Sequence, residues 1–235
     1  MMEFHKNGFA VINDFYSKTE RNTMIRLIEN AVTDKPGFRR SNDLFAIRQV
    51  LKEIPELACI VFNEKLKRLI VADFGENYFV SKSIYFDKPG QSNWFVAYHQ
   101  DLTISVKEKT DLPGYGPFTK KQDQFAVQPP VAVLEKNFTI RIHLDDTDAS
   151  NGVLRVIPAS HLPGIRRIEE VDNFHEEVPC PVGEAGIMLM HPLLFHASGK
   201  STSARSRRVL HIEFSNQELP EGLTWSERFD YSSVS

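Results

Sequence analysis

The stretch FTIRIHL, Phe138 to Leu144, alternates strictly. Successive side chains of a strand point to opposite sides, so Phe138, Ile140, Ile142 and Leu144 share one face and Thr139, Arg141 and His143 the other. RRVLHIEF, Arg207 to Phe214, repeats the pattern. Arg208, Leu210, Ile212 and Phe214 form its first face, and Arg207, Val209, His211 and Glu213 its second. A sheet with one face in water has this signature. So does a barrel whose interior is a wet ligand cavity. Alternation alone leaves both open.

Outward from these strands, short apolar segments recur between turn residues. Tyr78 to Phe86, Gly152 to Ile157 and Ile187 to Met190 read as strands, Lys88-Pro89-Gly90 as a turn, and Trp94 to Asp101 alternates. Asn151-Gly152 marks a tight turn. Thr103 to Pro130, with Pro113, Gly114, Gly116, Pro117, Pro129 and Pro130, reads as a long loop that could cover a site as a lid. Its lysines, Lys107, Lys109, Lys120 and Lys121, read as a solvated face. The first third differs. Phe9 to Ile12 reads as a strand, and Ser17 with Glu20 three residues later forms a capping box opening an amphipathic helix. Further helices are expected over about Asp43 to Lys52 and Glu56 to Phe74. Helices first and many short strands after give an α+β, mainly β class, with helices on one side of a sheet sandwich or barrel. The expected organisation is a single domain over 1–235: a helical third to about 77, a strand-rich core to about 215 and a C-terminal tail.

A hydrophobic share of 41% and a charged share of 25% fit a soluble globular protein. A net charge of −3 gives no reason to expect nucleic acid or an anionic membrane as partner. The runs IMLM and PLLF are too short to span a bilayer, and charges interrupt the apolar stretches of the N-terminus. Two cysteines, Cys59 and Cys180, form no framework and suit a reducing compartment. The expectation is a cytoplasmic protein without membrane or nucleic-acid partners; monomer or dimer stays open.

AYHQDL places His99 and Asp101 two residues apart. On a strand both side chains face one way and can reach one ion. Two histidines and a carboxylate on one face of an octahedron form the facial triad that holds Fe(II) with positions left open. His-x-Asp by itself is weak, and a surface histidine near a carboxylate explains it equally. A third ligand must come from His143, His161, His175, His191, His196 or His211. His196 ends an apolar run before Ala197, Ser198 and Gly199, as a strand-end residue would. His191 is its rival but precedes Pro192, where a turn is expected.

The run HLDDTDASNGVLRVIPASHLPG, with HQD upstream and HPLLFHASGKS…R downstream, resembles the phytanoyl-CoA dioxygenase family in motif order. The resemblance extends from GFAVINDFYS to about Phe214, and Ala159 stands where the family often has glycine. It implies a double-stranded β-helix, or jelly roll, that binds Fe(II) and 2-oxoglutarate. By position it implies His99, Asp101 and His196 as the metal and catalytic residues. Arg207, eleven residues past His196, would pair with the far carboxylate of 2-oxoglutarate. Guanidinium suits that task because it is planar and permanently charged. The rival explanation is that Arg205, Arg207 and Arg208 are a solvated basic cluster.

Thr139 and Arg141 are further candidates for the cosubstrate, and His143, Tyr85, Lys88 and Gln100 for the cavity. Trp94, Phe95 and Tyr98 read as core, and His161 as structural. The implied reaction consumes O₂ and a small organic substrate and releases succinate and CO₂. Halogenating relatives replace the carboxylate by a small residue, so Asp101 favours hydroxylation. Two other classes compete: a jelly-roll binding protein without catalysis, and a cupin-like metalloenzyme that does not use 2-oxoglutarate.

Overall fold

The computed structural model describes residues 2–31, 38–40, 45–121, 124–171 and 176–234. The helices are α1 (Met2–Asn7), α2 (Lys18–Glu29), α3 (Val50–Glu53), α4 (Leu57–Val61), α5 (Glu64–Phe74) and α6 (Val131–Leu134). The strands of the first half are β1 (Phe9–Ile12), β2 (Phe38–Arg40), β3 (Phe45–Arg48), β4 (Phe79–Lys88), β5 (Val96–His99), β6 (Ile104–Val106), β7 (Phe118–Lys121) and β8 (Gln124–Val127). Those of the second half are β9 (Phe138–His143), β10 (Leu154–Val156), β11 (Val178–Cys180), β12 (Ile187–Met190), β13 (His196–Ser198) and β14 (Arg207–Ser215). Among the described residues no helix is long and apolar enough to cross a membrane.

A seven-stranded sheet runs β1-β12-β9-β14-β4-β3-β2, and a four-stranded sheet runs β11-β10-β13-β5. All their pairings are antiparallel, the two sheets wall a common cavity, and the whole is a jelly roll. The apolar faces of β9 and β14 turn away from that cavity. Phe138, Ile140, Ile142, Leu210, Ile212 and Phe214 are buried in the main core, which they share with Met24 and Ile28 of α2, Val61 of α4 and Ile70 of α5. Phe138 stacks between Phe74 and Phe214, with centroids 3.6 and 4.7 Å away. The polar faces of both strands therefore point inward, and the wet-barrel alternative is the one realised.

The capping box of α2 is present: Ser17 Oγ accepts from Glu20 N at 3.2 Å, and Glu20 Oε2 accepts from Ser17 N at 2.7 Å. Other expectations are corrected. Residues 43–44 of the expected second helix lie outside the described residues. The rest is strand β3, whose Phe45 to Arg48 pair with β4, followed by the single turn of α3. Gln49 between them has φ 52°, a left-handed conformation that separates the two elements. The expected third helix is two helices, because Asn63 accepts from Leu66 N at 2.9 Å and caps a fresh start. The expected long loop contains a three-stranded sheet, β6-β8-β7. Pro113, Gly114, Gly116 and Pro117 lie between β6 and β7, with a cis Gly116–Pro117 bond just before β7, and Pro129 and Pro130 follow β8. This small sheet and the C-terminal segment share a second core of Ile104, Val127, Leu223 and Trp225.

Candidate metal centre

β5 and β13 are neighbours in the smaller sheet, with His99 and His196 in register. Asp101 lies just past the end of β5, where its N–H donates to Pro192 O at 2.8 Å. His99, Asp101 and His196 each offer a ligand atom, all within 4.8 Å of one another. Among the described residues they form the one group of at least three histidine, cysteine or acidic side chains close enough to share an ion. Each His Nε2 stands 3.7 Å from a different oxygen of Asp101.

The donor chemistry fits a divalent transition metal. His99 Nδ1 lies 2.9 Å from Ala97 O, and His196 Nδ1 2.9 Å from Leu194 O. A carbonyl only accepts, so each Nδ1 carries the proton and each Nε2 keeps a lone pair for the ion. Burial disfavours the charge on Asp101, but His196, His99 and His211 outweigh it and hold the carboxyl far below its ordinary range. Burial likewise pulls His196 down to about 4 against the attraction of Asp101, keeping it neutral at physiological pH. His99 behaves oppositely: Asp101 outweighs burial and raises it.

The cavity beside this group measures about 320 Å³ and is lined from both sheets. Arg207 and Arg141 lie on its wall, from the inward faces of β14 and β9. Both are buried, and the Nε of each has no hydrogen-bond partner among the described residues. Arg207 Nη1 donates to Gly152 O, and Arg141 Nη1 donates to His211 Nδ1 at 2.9 Å. Burial, with Arg141 adding to it, pulls Arg207 down to about 9. Burial pulls Arg141 down to about 10, with Asp101 opposing. Two buried guanidinium groups with unpartnered Nε donors are short of counter-charge, and a dicarboxylate would supply it. His143 beside them is driven well below its ordinary range by burial and then by the two arginines, so it adds no charge.

Thr139 is buried on the same strand face as Arg141 but is not among the lining residues; its neighbours across the sheet are Glu213 and Met190. Lys88, opposite Arg207 on β4, donates to Gly199 O at 2.5 Å. Gln100 turns away and donates to Gly164 O and Leu193 O. Tyr85 belongs to the helix-side core. His161 and His191 face each other at 4.9 Å between centroids, away from the metal group, and His175 lies outside the described residues. The core reading of three aromatics is corrected: Phe95 is 59% exposed, Trp94 lines the cavity, and Tyr98 hydrogen-bonds Glu177 on a partly exposed face. Sequence reasoning passed over Lys82, Thr103 and Ser105, which also line the cavity. Lys82 was discoverable, because Lys82, Ile84, Phe86 and Lys88 alternate along β4.

The family model for phytanoyl-CoA dioxygenase matches residues 4–209. Phytanoyl-CoA dioxygenase 1 of Oryza sativa subsp. japonica is 24% identical over 241 residues, spanning 95% of this chain and 75% of its own. Two solved structures share the fold. EctD from S. alaskensis, with 2-oxoglutarate and 5-hydroxyectoine, has a TM-score of 0.71 at 17% identity, covering 91% of this chain and 74% of its own. The non-haem alpha-ketoglutarate-dependent carbocyclase SnoK from nogalamycin biosynthesis has a TM-score of 0.68 at 18% identity, covering 95% and 84%. The jelly roll, the site and the family match together define the class: non-haem iron, 2-oxoglutarate-dependent oxygenases. Within that class, the chain belongs to the phytanoyl-CoA dioxygenase family.

Proposed function

We propose that this protein hydroxylates a small organic substrate, with His99, Asp101 and His196 as ligands of Fe(II) and Arg207 as the clamp for 2-oxoglutarate. The observation that carries the reading is the convergence of two Nε2 lone pairs and one carboxylate within 4.8 Å. Bound Fe(II) would supply the activation of O₂ coupled to decarboxylation of 2-oxoglutarate, so that one oxygen atom enters succinate and the other the substrate, with CO₂ released.

The chain's own contribution is orientation and charge. Two neutral imidazoles and one carboxylate leave a divalent ion with a net positive charge, which favours a bidentate anionic chelator. Arg207 would receive the distal carboxylate of that chelator through its fork of donors. Arg141 reaches the same cavity and adds a second positive charge beside it. Phe86, Leu154 and Val96 give the same cavity an apolar wall, which would exclude water around a bound chelator. The intact carboxylate at Asp101 occupies the position that a halide would need, which favours hydroxylation over halogenation.

The test is binding of 2-oxoglutarate to protein loaded with Fe(II) under anaerobic conditions, followed by succinate release on admission of O₂. The expected result is iron-dependent binding and slow succinate formation even without substrate. If 2-oxoglutarate binds no better with iron than without it, the reading is wrong.

A further inference from the structure

The cavity has a second wall, made by residues other than the proposed iron ligands and Arg207. Lys82 of β4 and Glu213 of β14 face each other across the ladder, with Lys82 Nζ 2.8 Å from both carboxylate oxygens. The third Lys82 proton goes to Thr103 O at 3.2 Å. Arg141, which only donates, points at His211 Nδ1 at 2.9 Å, so the His211 proton sits on Nε2. That Nε2 donates to Glu213 Oε1 at 3.1 Å. The donors of Lys82 and His211 are thus spent inside the wall. What the wall still offers the cavity is acceptor capacity on Glu213 Oε2, which receives one bond from Lys82. Beside it stand the hydroxyls of Thr103 and Ser105, both lining residues with no side-chain hydrogen bond among the described residues.

Resting on the oxygenase reading above, we propose that the substrate is a compact polar molecule bearing hydroxyl or amine donors, read by Glu213, Thr103 and Ser105, and not an acyl-CoA thioester. Two physical arguments carry this. An alkyl chain laid against the Lys82–Glu213 pair would strip its water and return no hydrogen bond, whereas a hydroxyl or ammonium group replaces that water in kind. The cavity, about 320 Å³, lies at the lower end of the range of roughly 300–1,000 Å³ that takes drug-sized ligands, and the cosubstrate must occupy part of it. The room left beside the metal suits a small skeleton. Glu213, Thr103 and Ser105 are then specificity residues, set on β14, the segment after β5, and β6.

The experiment uses the whole protein loaded with Ni(II), which holds the cosubstrate without turnover, and measures calorimetric binding of 2-oxoglutarate first. Four probe sets are then titrated: sugar alcohols and monosaccharides, amino alcohols, straight-chain fatty acids, and their CoA thioesters. The expected result is millimolar or tighter binding confined to the first two sets, and the difference between them says whether hydroxyl or ammonium is the preferred donor. Members that bind are expected to raise succinate release by the iron-loaded protein at least several-fold. Glu213→Gln is expected to weaken that binding by at least tenfold. Ser105→Ala, which leaves the ion pair intact, is expected to weaken it several-fold and keeps the test decisive if Glu213→Gln fails to fold. The proposal is overturned if thioesters or fatty acids bind better than both polar sets. It is overturned equally if 2-oxoglutarate binds but no polar compound does, or if both variants bind polar probes as the parent protein does. Absence of metal-dependent 2-oxoglutarate binding in the first titration overturns the oxygenase reading itself.

Discussion

His99 and His196 are partners across the β5–β13 ladder, their ring centroids 4.2 Å apart and each ring held through Nδ1 by the carbonyl two residues upstream. The two Nε2 atoms are thereby aimed at Asp101 before any ion arrives, so little ordering entropy remains to be lost on binding. Replacing either ring, or the carboxylate, would remove one of the three ligands proposed for the iron. His196→Ala and Asp101→Gly are therefore expected to lose more iron affinity than the roughly 10–100-fold that loss of an outer-shell partner costs. Equilibrium dialysis with Fe(II) checks this. An Asp101→Gly variant that held iron as tightly as the parent would remove the carboxylate from the ligand set.

Arg207 is buried among other cations, with its Nε unpartnered. A carboxylate docked there would make charge-assisted hydrogen bonds in a site already stripped of water. Arg207→Ala is expected to cost about 3 kcal/mol, on the order of 100-fold in the Kd of 2-oxoglutarate. Arg207→Lys keeps the charge but not the fork and should recover only part of the loss. The measurement is 2-oxoglutarate titration of metal-loaded protein. Unchanged affinity in Arg207→Ala would return the enzyme to the cupin-like class that does not use this cosubstrate.

The backbone that receives Arg207 has its own requirement. Gly152 sits at φ 82°, and a Cβ added there would come 2.7 Å from Gly199 O and 2.7 Å from Lys88 Nζ. Both the left-handed conformation and the crowding oppose a side chain. Gly152→Ala is expected to destabilise the protein by roughly 1–3 kcal/mol. It should also displace the carbonyl that Arg207 donates to, weakening 2-oxoglutarate binding while leaving iron binding close to normal. Denaturant unfolding and paired titrations of metal and cosubstrate separate the two effects.

How much of this was legible in the sequence follows from the range of the interactions. Strand parity is local, so the split of β9 and β14 into an apolar and a polar face was readable, as was the capping box at Ser17. Parity also set Arg207 apart from Arg208: Arg207 lies on the cavity wall, while Arg208 binds Asp145 at 2.8 Å on the outer side. What escaped was decided by distant partners. β3 is a strand because β4 lies beside it, although its own residues suit a helix. β6, β7 and β8 stabilise one another across a run whose prolines and glycines signal only turns. Trp94, Phe95 and Tyr98 are aromatic, and composition alone assigns such residues to a core; the narrow smaller sheet leaves Phe95 outside it. The Lys82–Glu213 wall was invisible for the same reason, since its two members lie in strands far apart in the chain and meet only in the ladder.

Glu227 lies behind that wall and gives the fold a pH dependence. It is buried, its Oε2 accepts from Ser83 N at 2.7 Å, and its Oε1 accepts from Ser83 Oγ at 2.5 Å. Burial, with Glu213 adding to it, outweighs the Ser83 hydrogen bonds and Lys82 and pushes its carboxyl from 4.5 up to about 7. The folded protein therefore holds a proton that the unfolded chain has released between these two values. This contribution to stability is fully present below about 4.5, falls as pH rises, and is gone above about 7. Its size, from 1.36 kcal/mol per pH unit over that interval, is about 3 kcal/mol. His161 and His191 are pulled down by burial and contribute with the opposite sign over their own range, so the parent curve alone is a sum. Glu227→Gln isolates the carboxyl: its amide can accept from Ser83 N and donate to Ser83 Oγ without a charge. The variant is expected to match the parent near pH 4.5 and to exceed it progressively, by up to about 3 kcal/mol above pH 7. Urea unfolding of both proteins across pH 4.5–8 measures the difference, and two curves that stay parallel would show that Glu227 titrates alike in the folded and unfolded chains.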